Sequence, residues 1–189
     1  MQSGKIIVIT APSGSGKTSI AQHLLRAFPQ MEFSISATTR PPRGQEQHGR
    51  EYYFLSVEAF KQQIADDAFL EWEMVYEGKY YGTLKSEVNR MWAAEKLPLL
   101  DIDVKGAMRV QQLFPGKCLC IFIEAPSLEV LRQRLVARGT ETEESLQVRL
   151  SKAGYEQSYK AQFDAVVVND DLQVAQQQTA GLIEAFLKR

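Results

Sequence analysis

The chain has 189 residues, 44% hydrophobic and 24% charged, which fits a folded globular protein and excludes the disordered and fibrous classes. Its length suits one compact unit with small inserted lobes and argues against two large independent domains. Because 22 Lys and Arg are balanced by 23 Asp and Glu, for a net charge of −1, the overall charge predicts neither a nucleic-acid nor a membrane partner.

The first predicted elements are a strand, a glycine-rich loop and a helix. An apolar run at residues 6–9 is typical of a buried strand, and a helical pattern continues from Ile20 until Pro29. The loop between them matches the phosphate-binding motif apart from Ala at its first position: Ala11, Pro12, Ser13, Gly14, Ser15, Gly16, Lys17 and Thr18. Its glycines let N–H groups surround phosphate oxygens, Lys17 adds positive charge, and the Thr18 hydroxyl can hold Mg²⁺. This pattern favours nucleotide binding over a structural glycine turn.

Further along the chain, strand-like runs alternate with helical patterns. Strands are predicted at residues 97–103, 118–123 and 165–168. Helices are predicted at residues 106–114, 128–135, 146–153 and 172–186. Ser127 is a predicted helix N-cap, and Thr140 with Glu143 has the spacing of a capping box. The alternation predicts an α/β fold with a three-layer core, in which helices cover both faces of a mostly parallel sheet.

The cysteines and the apolar runs bear on the cellular compartment. Cys118 and Cys120 share one face of a predicted strand, so we expect buried thiols and neither a disulfide nor a zinc site. No apolar run approaches the ~20 residues needed to span a bilayer, and the N-terminal segment shows neither a basic start nor a cleavage site. We therefore predict a cytoplasmic protein.

Two aspartates lie at the carboxyl end of the predicted strand at residues 97–103. Asp101 and Asp103 alternate, so their side chains are expected to point the same way, at the edge where such sheets bind ligands. A carboxylate near Thr18 would assist Mg²⁺, partly through water. Capping of the next helix is the alternative role for Asp103.

Two stretches interrupt the alternation and predict inserted units. Residues 34–83 are rich in Arg, Gly, Pro and Tyr and fit a small lobe of short strands with one helix. Residues 128–149 carry several arginines on two helices, which is typical of a mobile lid. The nucleotide-binding core is accordingly predicted at residues 1–33, 84–127 and 150–189.

Beyond the phosphate loop, five segments of the chain resemble the guanylate kinase family. They are SATTRPPRGQE (36–46), GREYYF (49–54), FLE (69–71), YYGT (80–83) and LDID (100–103), and the likeness extends essentially from end to end. The resemblance implies a nucleoside monophosphate kinase that converts ATP and GMP to ADP and GDP by in-line transfer, with Mg²⁺ as cofactor. It also implies a role in purine nucleotide metabolism and GMP recycling, a P-loop core, a GMP-binding lobe and a helical lid. dGMP is an expected second acceptor, and self-association into a homo-oligomer stays open.

The resemblance implies that a carboxylate and hydroxyl groups read the guanine base. The family places its guanine-reading Glu and hydroxyl at the positions of Glu71 and Thr83, with Ser36 nearby. Hydrogen-bond chemistry supports this reading, because guanine offers two N–H donors beside its O6 acceptor. Adenine lacks N1–H and would leave the buried carboxylate mispaired, which gives strong discrimination.

The remaining site residues are also assigned by the resemblance. Arg40 and Arg43 are expected to bind the GMP phosphate with their planar guanidinium groups. Other GMP-binding candidates are Glu46, Tyr52, Tyr81 and Asp101. ATP-binding candidates beyond the phosphate loop are Asn169 and Asp170, although Asp170 or Asp171 would equally cap the last helix. The expected metal ligands are Thr18 and Asp103. Catalysis is expected of the cations that offset phosphate charge, namely Lys17, Arg43, Arg138 and Arg149.

Two rival functions and two local departures accompany this assignment. A kinase with a sugar-phosphate acceptor would not need the pair of Glu71 and Thr83, because a sugar has no guanine edge. A protein-binding module without catalysis would not need Lys17, and we see no appended domain in the sequence. Lys105 replaces the family's usual Gln, and the stretch from Glu71 to Tyr81 is one residue longer than usual, which could shift Glu71 relative to Thr83.

Overall fold

The computed structural model describes residues 4–137, 139 and 142–189, and its largest element is a five-stranded parallel sheet. The strands of this sheet are β1 (Ile6–Thr10), β2 (Met31–Phe33), β7 (Leu97–Asp101), β8 (Cys118–Glu124) and β9 (Ala165–Val168). Their order is β2-β7-β1-β8-β9, and β1 pairs Ile9 with Asp101 on one side and with Ile121 on the other. The predicted α/β fold with a mostly parallel sheet is confirmed.

Helices cover both faces of this sheet. In the described residues they are α1 (Lys17–Ala27), α2 (Val57–Ala65), α3 (Lys85–Ala93), α4 (Val104–Leu113), α5 (Leu128–Ala137), α6 (Glu143–Gln157) and α7 (Leu172–Leu187). Helices α1 and α7 bury Ile7 and Ile9 on one face, while α3 and α4 bury Ile6 and Val8 on the other. Because β1 is buried on both faces, its sequence is an uninterrupted apolar run. Each of its fully buried side chains contributes ~1.5–3 kcal/mol to folding.

A second sheet of four strands lies within residues 37–84. Its strands are β3 (Ala37–Thr38), β4 (Tyr53–Phe54), β5 (Phe69–Tyr76) and β6 (Lys79–Leu84), in the order β4-β3-β6-β5. Helix α2 covers it, and the rings of Phe60 and Phe69 stack with centroids 4.4 Å apart in a small separate apolar cluster. This cluster gives the second sheet its own packing, apart from the core of the parallel sheet.

The hairpin of β5 and β6 holds Glu71 opposite Thr83. The register shifts by one residue between Phe69 and Glu71 and again between Met74 and Tyr76, as it does at β-bulges. The second shift absorbs one residue near the hairpin turn, so the longer stretch from Glu71 to Tyr81 leaves the pairing of Glu71 with Thr83 intact. Phe69, Leu70 and Glu71 are buried in succession because both faces of β5 are covered there: Phe69 packs in the cluster of the second sheet, and Leu70 packs in the core of the parallel sheet.

Capping groups set several element boundaries. Strand β7 ends at Asp101 rather than at Asp103, because Asp103 caps α4 by accepting a 2.8 Å hydrogen bond from the Gly106 N–H. Ser127 caps α5 as predicted. Helix α6 begins after Thr142, which accepts a bond from the Ser145 N–H, whereas the predicted cap Thr140 lies outside the described residues.

Strand β2 and helix α3 were absent from the sequence predictions. Strand β2 has three residues and lies at the edge of the parallel sheet, so its apolar signal is short. Helix α3 follows β6 directly and has no side-chain cap to mark its start.

Cys118 and Cys120 are free and buried, with sulfur atoms 3.4 Å apart, as expected. No described helix combines the length and apolar character needed to cross a bilayer.

Candidate active site

A cleft of about 340 Å³ lies between the carboxyl edge of the parallel sheet and the second sheet. We call it the Lys17 cleft. The predicted site residues that line it are Ala11, Pro12, Ser13, Gly14, Gly16, Lys17, Thr18, Ser36, Tyr52, Glu71, Tyr81, Asp101, Asp103 and Arg149. The phosphate loop and the expected guanine-reading carboxylate therefore face the same space.

The phosphate loop has the backbone geometry of an anion site. Gly14 and Gly16 have φ values of 94° and 88°, a left-handed conformation that residues with a Cβ rarely adopt. Helix α1 then begins at Lys17 with neither a side-chain cap nor an acidic residue in its first turn. Its first N–H groups and its positive helix end are thus left for an anionic ligand.

Lys17 forms an ion pair with Asp101 across the cleft floor. Both side chains are about three-quarters buried, and Asp101 ends β7 beside β1, directly next to the phosphate loop. The carboxylate of Asp101 therefore holds the Lys17 ammonium group at the carboxyl edge of the sheet.

Asn169 supports the phosphate loop from behind. Its Nδ2 donates a 2.7 Å hydrogen bond to the Ser15 carbonyl, and it is 4% exposed and does not line the Lys17 cleft. The Nη2 of Arg134 donates to the Asn169 carbonyl at 2.9 Å, which ties α5 to the same point. Asp170 is exposed, and its neighbour Asp171 caps α7.

The carboxylate of Glu71 is buried beside a hydroxyl. The Thr83 hydroxyl donates a 2.5 Å hydrogen bond to Oε1 of Glu71, which is 7% exposed. Burial raises the pKa of Glu71 to about 7; the Thr83 hydrogen bond opposes this rise and the charge of Asp103 adds to it. The expected guanine-reading pair is assembled in this structure, with its carboxylate facing the Lys17 cleft.

The two aspartates contact different parts of the cleft. Asp101 lies beside Lys17 and the phosphate loop, whereas Asp103 lies near Glu71. The cause is local: β7 ends at Asp101, and Asp103 turns away from the strand direction to cap α4. Asp101 therefore lies beside the phosphate loop and Asp103 beside the Glu71 carboxylate, and their expected roles, Asp101 toward GMP and Asp103 toward the metal, stay predictions.

Arg40 and Glu46 form a two-pronged ion pair outside the residues that line the cleft. The guanidinium nitrogens lie 2.6 and 2.8 Å from the two Glu46 oxygens, and they lower the pKa of Glu46 to about 2. The guanidinium of Arg40 also stacks on Tyr52, 4.8 Å from the ring centroid. The Arg43 N–H donates to Glu46, while the Arg43 side chain is exposed and does not line the cleft. In this structure Arg40 and Glu46 thus shape the loop beside Tyr52.

Helices α5 and α6 reach the phosphate loop. Arg149 of α6 donates a 2.7 Å hydrogen bond from Nη1 to the Ser13 hydroxyl. Leu131 and Leu135 of α5 pack against Gly14, where a Cβ would come within 3.2 Å of their side chains. The predicted catalytic residue Arg138 lies outside the described residues.

Two charged residues of α6 are among the cleft residues that the sequence reasoning missed. Lys152 and Glu156 line the Lys17 cleft, and their charged atoms are 3.7 Å apart. Burial raises the pKa of Glu156. Both residues follow Arg149 at helical spacing, so the face of α6 defined by Arg149 was the signal that could have identified them.

Comparisons with known proteins bear on the family of this chain. Residues 3–186 match the family model described as guanylate kinase. A guanylate kinase of Salinibacter ruber is 50% identical over 99% of both chains, and one of Bacteroides fragilis is 45% identical over 97% of this chain and 90% of its own. A crystal structure of guanylate kinase from Anaplasma phagocytophilum aligns with a TM-score of 0.77 at 29% identity, covering 96% of this chain and 85% of that one.

Proposed function

This chain belongs to the guanylate kinase family and transfers a phosphoryl group from ATP to GMP, and we propose that the reaction takes place in the Lys17 cleft. The observation that carries this assignment of the site is the hydrogen-bonded pair of Glu71 and Thr83, which opens on the same cleft as the phosphate loop. A site for a purine base thus lies within reach of a site for a phosphate chain.

The guanine base of GMP is proposed to bind at Glu71. The ionised carboxylate would accept the N1–H and N2–H groups of guanine, and a hydroxyl donor such as Thr83 or Ser36 suits the O6 acceptor. Asp103 lies on the same side and offers a further acceptor. Because these groups contact the base and not the ribose, we propose dGMP as a second acceptor.

The phosphate of GMP is proposed to bind between two tyrosine hydroxyls and the loop that carries Arg40 and Arg43. Tyr52 and Tyr81 line the cleft with ring centroids 6.1 Å apart. Arg40 stacks on Tyr52, and its pairing with Glu46 fixes the loop that carries the exposed Arg43. We propose Arg43 as the mobile cation that reaches the GMP phosphate when the inserted lobe at residues 34–83 closes.

The ATP phosphates are proposed to bind at residues 11–18. The left-handed glycines direct backbone N–H groups inward, and Lys17 supplies a positive charge that Asp101 holds in place. Arg149 adds a second cation at Ser13, on the side of the lid at residues 128–149. As the resemblance implies, Arg138 is proposed to act from the lid, and Asn169 and Asp170 are proposed to bind ATP on the side of its adenine base.

Mg²⁺ fits the oxygen donors at this end of the cleft. Thr18 and Asp101 supply a hydroxyl and a carboxylate, the hard ligands that Mg²⁺ prefers. Within the described ranges no group of three or more His, Cys, Asp or Glu is placed to hold a metal, so the ATP phosphates and water would complete the shell. When bound, Mg²⁺ neutralises phosphate charge. We propose Asp101, in place of Asp103, as the carboxylate on the metal side.

The protein's own groups then have to bring two anions together and exclude water. The GMP phosphate needs no general base, because the second pKa of a phosphate monoester is near ~6 and the dianion predominates at neutral pH. Lys17, Arg43 and Arg149 would offset the charge that builds up as the phosphates approach in line. Because ATP and GMP are nucleotides of the cell interior, we propose that the protein acts in the cytoplasm.

A coupled assay of ADP release tests the acceptor and the residue that reads it. We expect turnover with GMP and dGMP and little with AMP, UMP, CMP or ribose phosphates. Glu71→Gln is expected to lower the preference for GMP over AMP by at least tenfold, because an amide presents an N–H group where guanine needs an acceptor. An unchanged preference in this variant would show that the base is read elsewhere.

A further inference from the structure

Gly106 leaves the space in which the Glu71 carboxylate lies. It belongs to the first turn of α4, and a Cβ built on its backbone would come to 2.5 Å from Oε2 of Glu71 and 3.0 Å from Cδ. The same Cβ would lie 3.4 Å from Oδ1 of Asp103, between the two carboxylates. Real Cβ atoms essentially never approach another heavy atom within 3.0 Å, so Glu71 would have to move.

The part that would give way is the carboxylate and not the backbone. Helix α4 is fixed by the Asp103 cap and by burial of Val104 and Ala107, and β5 is fixed by its pairing with β6. The atoms in conflict are at the far end of the Glu71 side chain, and a groove of about 470 Å³ behind β5 gives that end room to turn. A Cβ at position 106 would therefore displace the carboxylate while the fold persists.

Glycine at this position is not explained by the conformation of α4. Gly106 lies outside the set of glycines with positive φ, so alanine fits the backbone conformation. Alanine is also the better helix former. The contact with Glu71 is thus the structural reason for a glycine here.

We infer that Gly106 is a specificity-determining positioning residue, which lets Glu71 lie against α4 where its carboxylate meets the N–H edge of guanine. The inference rests on the proposed role of Glu71. Gly106 itself does not contact the base; it acts through the place of the carboxylate.

The test is Gly106→Ala, with Gly181→Ala as the matched control. Gly181 lies in α7, where a Cβ would meet nothing within 4 Å. We expect Gly106→Ala to raise the KM for GMP roughly tenfold to a hundredfold, as for a lost hydrogen bond to a charged group, with the KM for ATP unchanged. Its Tm should not fall, because helix propensity improves. Gly181→Ala should leave both KM values unchanged.

Two further variants separate the inference from the proposed function. In a Glu71→Ala background, Gly106→Ala should cause no further loss of the preference for GMP over AMP, and an equal loss in both backgrounds would overturn the inference. If Gly106→Ala has no effect while Glu71→Gln lowers the preference, the inference alone fails. If Glu71→Gln has no effect, the role of Glu71 fails first.

A stability measurement covers the case in which Gly106→Ala lowers Tm. Adding Glu71→Asp must then restore Tm, because the shorter side chain removes the contact; no recovery would refute the inference.

Discussion

The proposed role of Glu71 predicts a pH dependence of GMP binding that can be calculated. The two N–H groups on the guanine edge need two acceptor oxygens, which the ionised carboxylate offers and the protonated carboxyl does not, and burial places the pKa of this carboxyl at about 7. The carboxylate is then about 90% populated at pH 8 and about 10% at pH 6, so its ionisation alone weakens the Kd for GMP about tenfold over this range. Binding at pH 7 should release about half a proton.

Calorimetric titration of GMP at pH 6, 7 and 8, in two buffers of different ionisation enthalpy, measures both quantities. The GMP phosphate itself titrates near ~6, so the same series on Glu71→Gln supplies the baseline. We expect the ratio of Kd between the variant and the unmodified chain to be largest at pH 8 and to shrink about tenfold at pH 6. Parallel pH profiles for the two chains would refute the argument that a buried carboxylate near neutrality reads the base.

Further predictions concern stability, the phosphate loop and its support. Because the pKa of Glu71 rises from 4.5 in the unfolded chain to about 7 in the folded one, its stabilising effect is present below pH 4.5 and lost as pH rises through 7. The free energy of unfolding of Glu71→Gln should therefore exceed that of the unmodified chain by ~3 kcal/mol at pH 8 and equal it at pH 4. Urea titration measures both values, with the exposed Glu184→Gln as the control variant. An equal gain at both pH values would contradict this prediction. Lys17→Ala should lower kcat by at least a hundredfold while the Kd for GMP stays unchanged, and near-normal turnover would remove Lys17 from the ATP site. Asn169→Ala should lower Tm and raise the KM for ATP several-fold, since the buried Ser15 carbonyl loses its partner; unchanged values would mean that the loop holds its shape without Asn169.

Local spacing allowed the phosphate loop and its flanking elements to be predicted from sequence. The loop at residues 11–18, the strand before it and the helix after it depend on contacts between near neighbours, and glycine spacing encodes them directly. Glu71 and Thr83 were also placed correctly next to each other, because the hairpin register keeps them paired across its two register shifts.

Two kinds of feature were not predictable from the sequence: the residue at which a strand ends, and the side chains that pair or meet in the folded chain. The strand pattern ran on to Asp103, and the sequence left open whether Asp103 faces the ligand or caps the next helix, as it does here. Arg40 and Glu46 were both assigned to GMP, which stays a prediction, and their ion pair with each other across six residues of a loop was not foreseen. Glu156 was missed because a glutamate on a polar helix is ordinarily a solvated charge.

The register shifts in β5 have a consequence for association between molecules. Strand β5 is the outer strand of the second sheet and exposes Trp72 and Met74, which are 42% and 50% accessible. A straight apolar edge of this kind is a template for pairing with a strand of another chain. Irregular pairing at two points in eight residues interrupts the even row of N–H and C=O groups that such templating requires. The same irregularities that keep Glu71 beside Thr83 thus also guard this edge against aggregation.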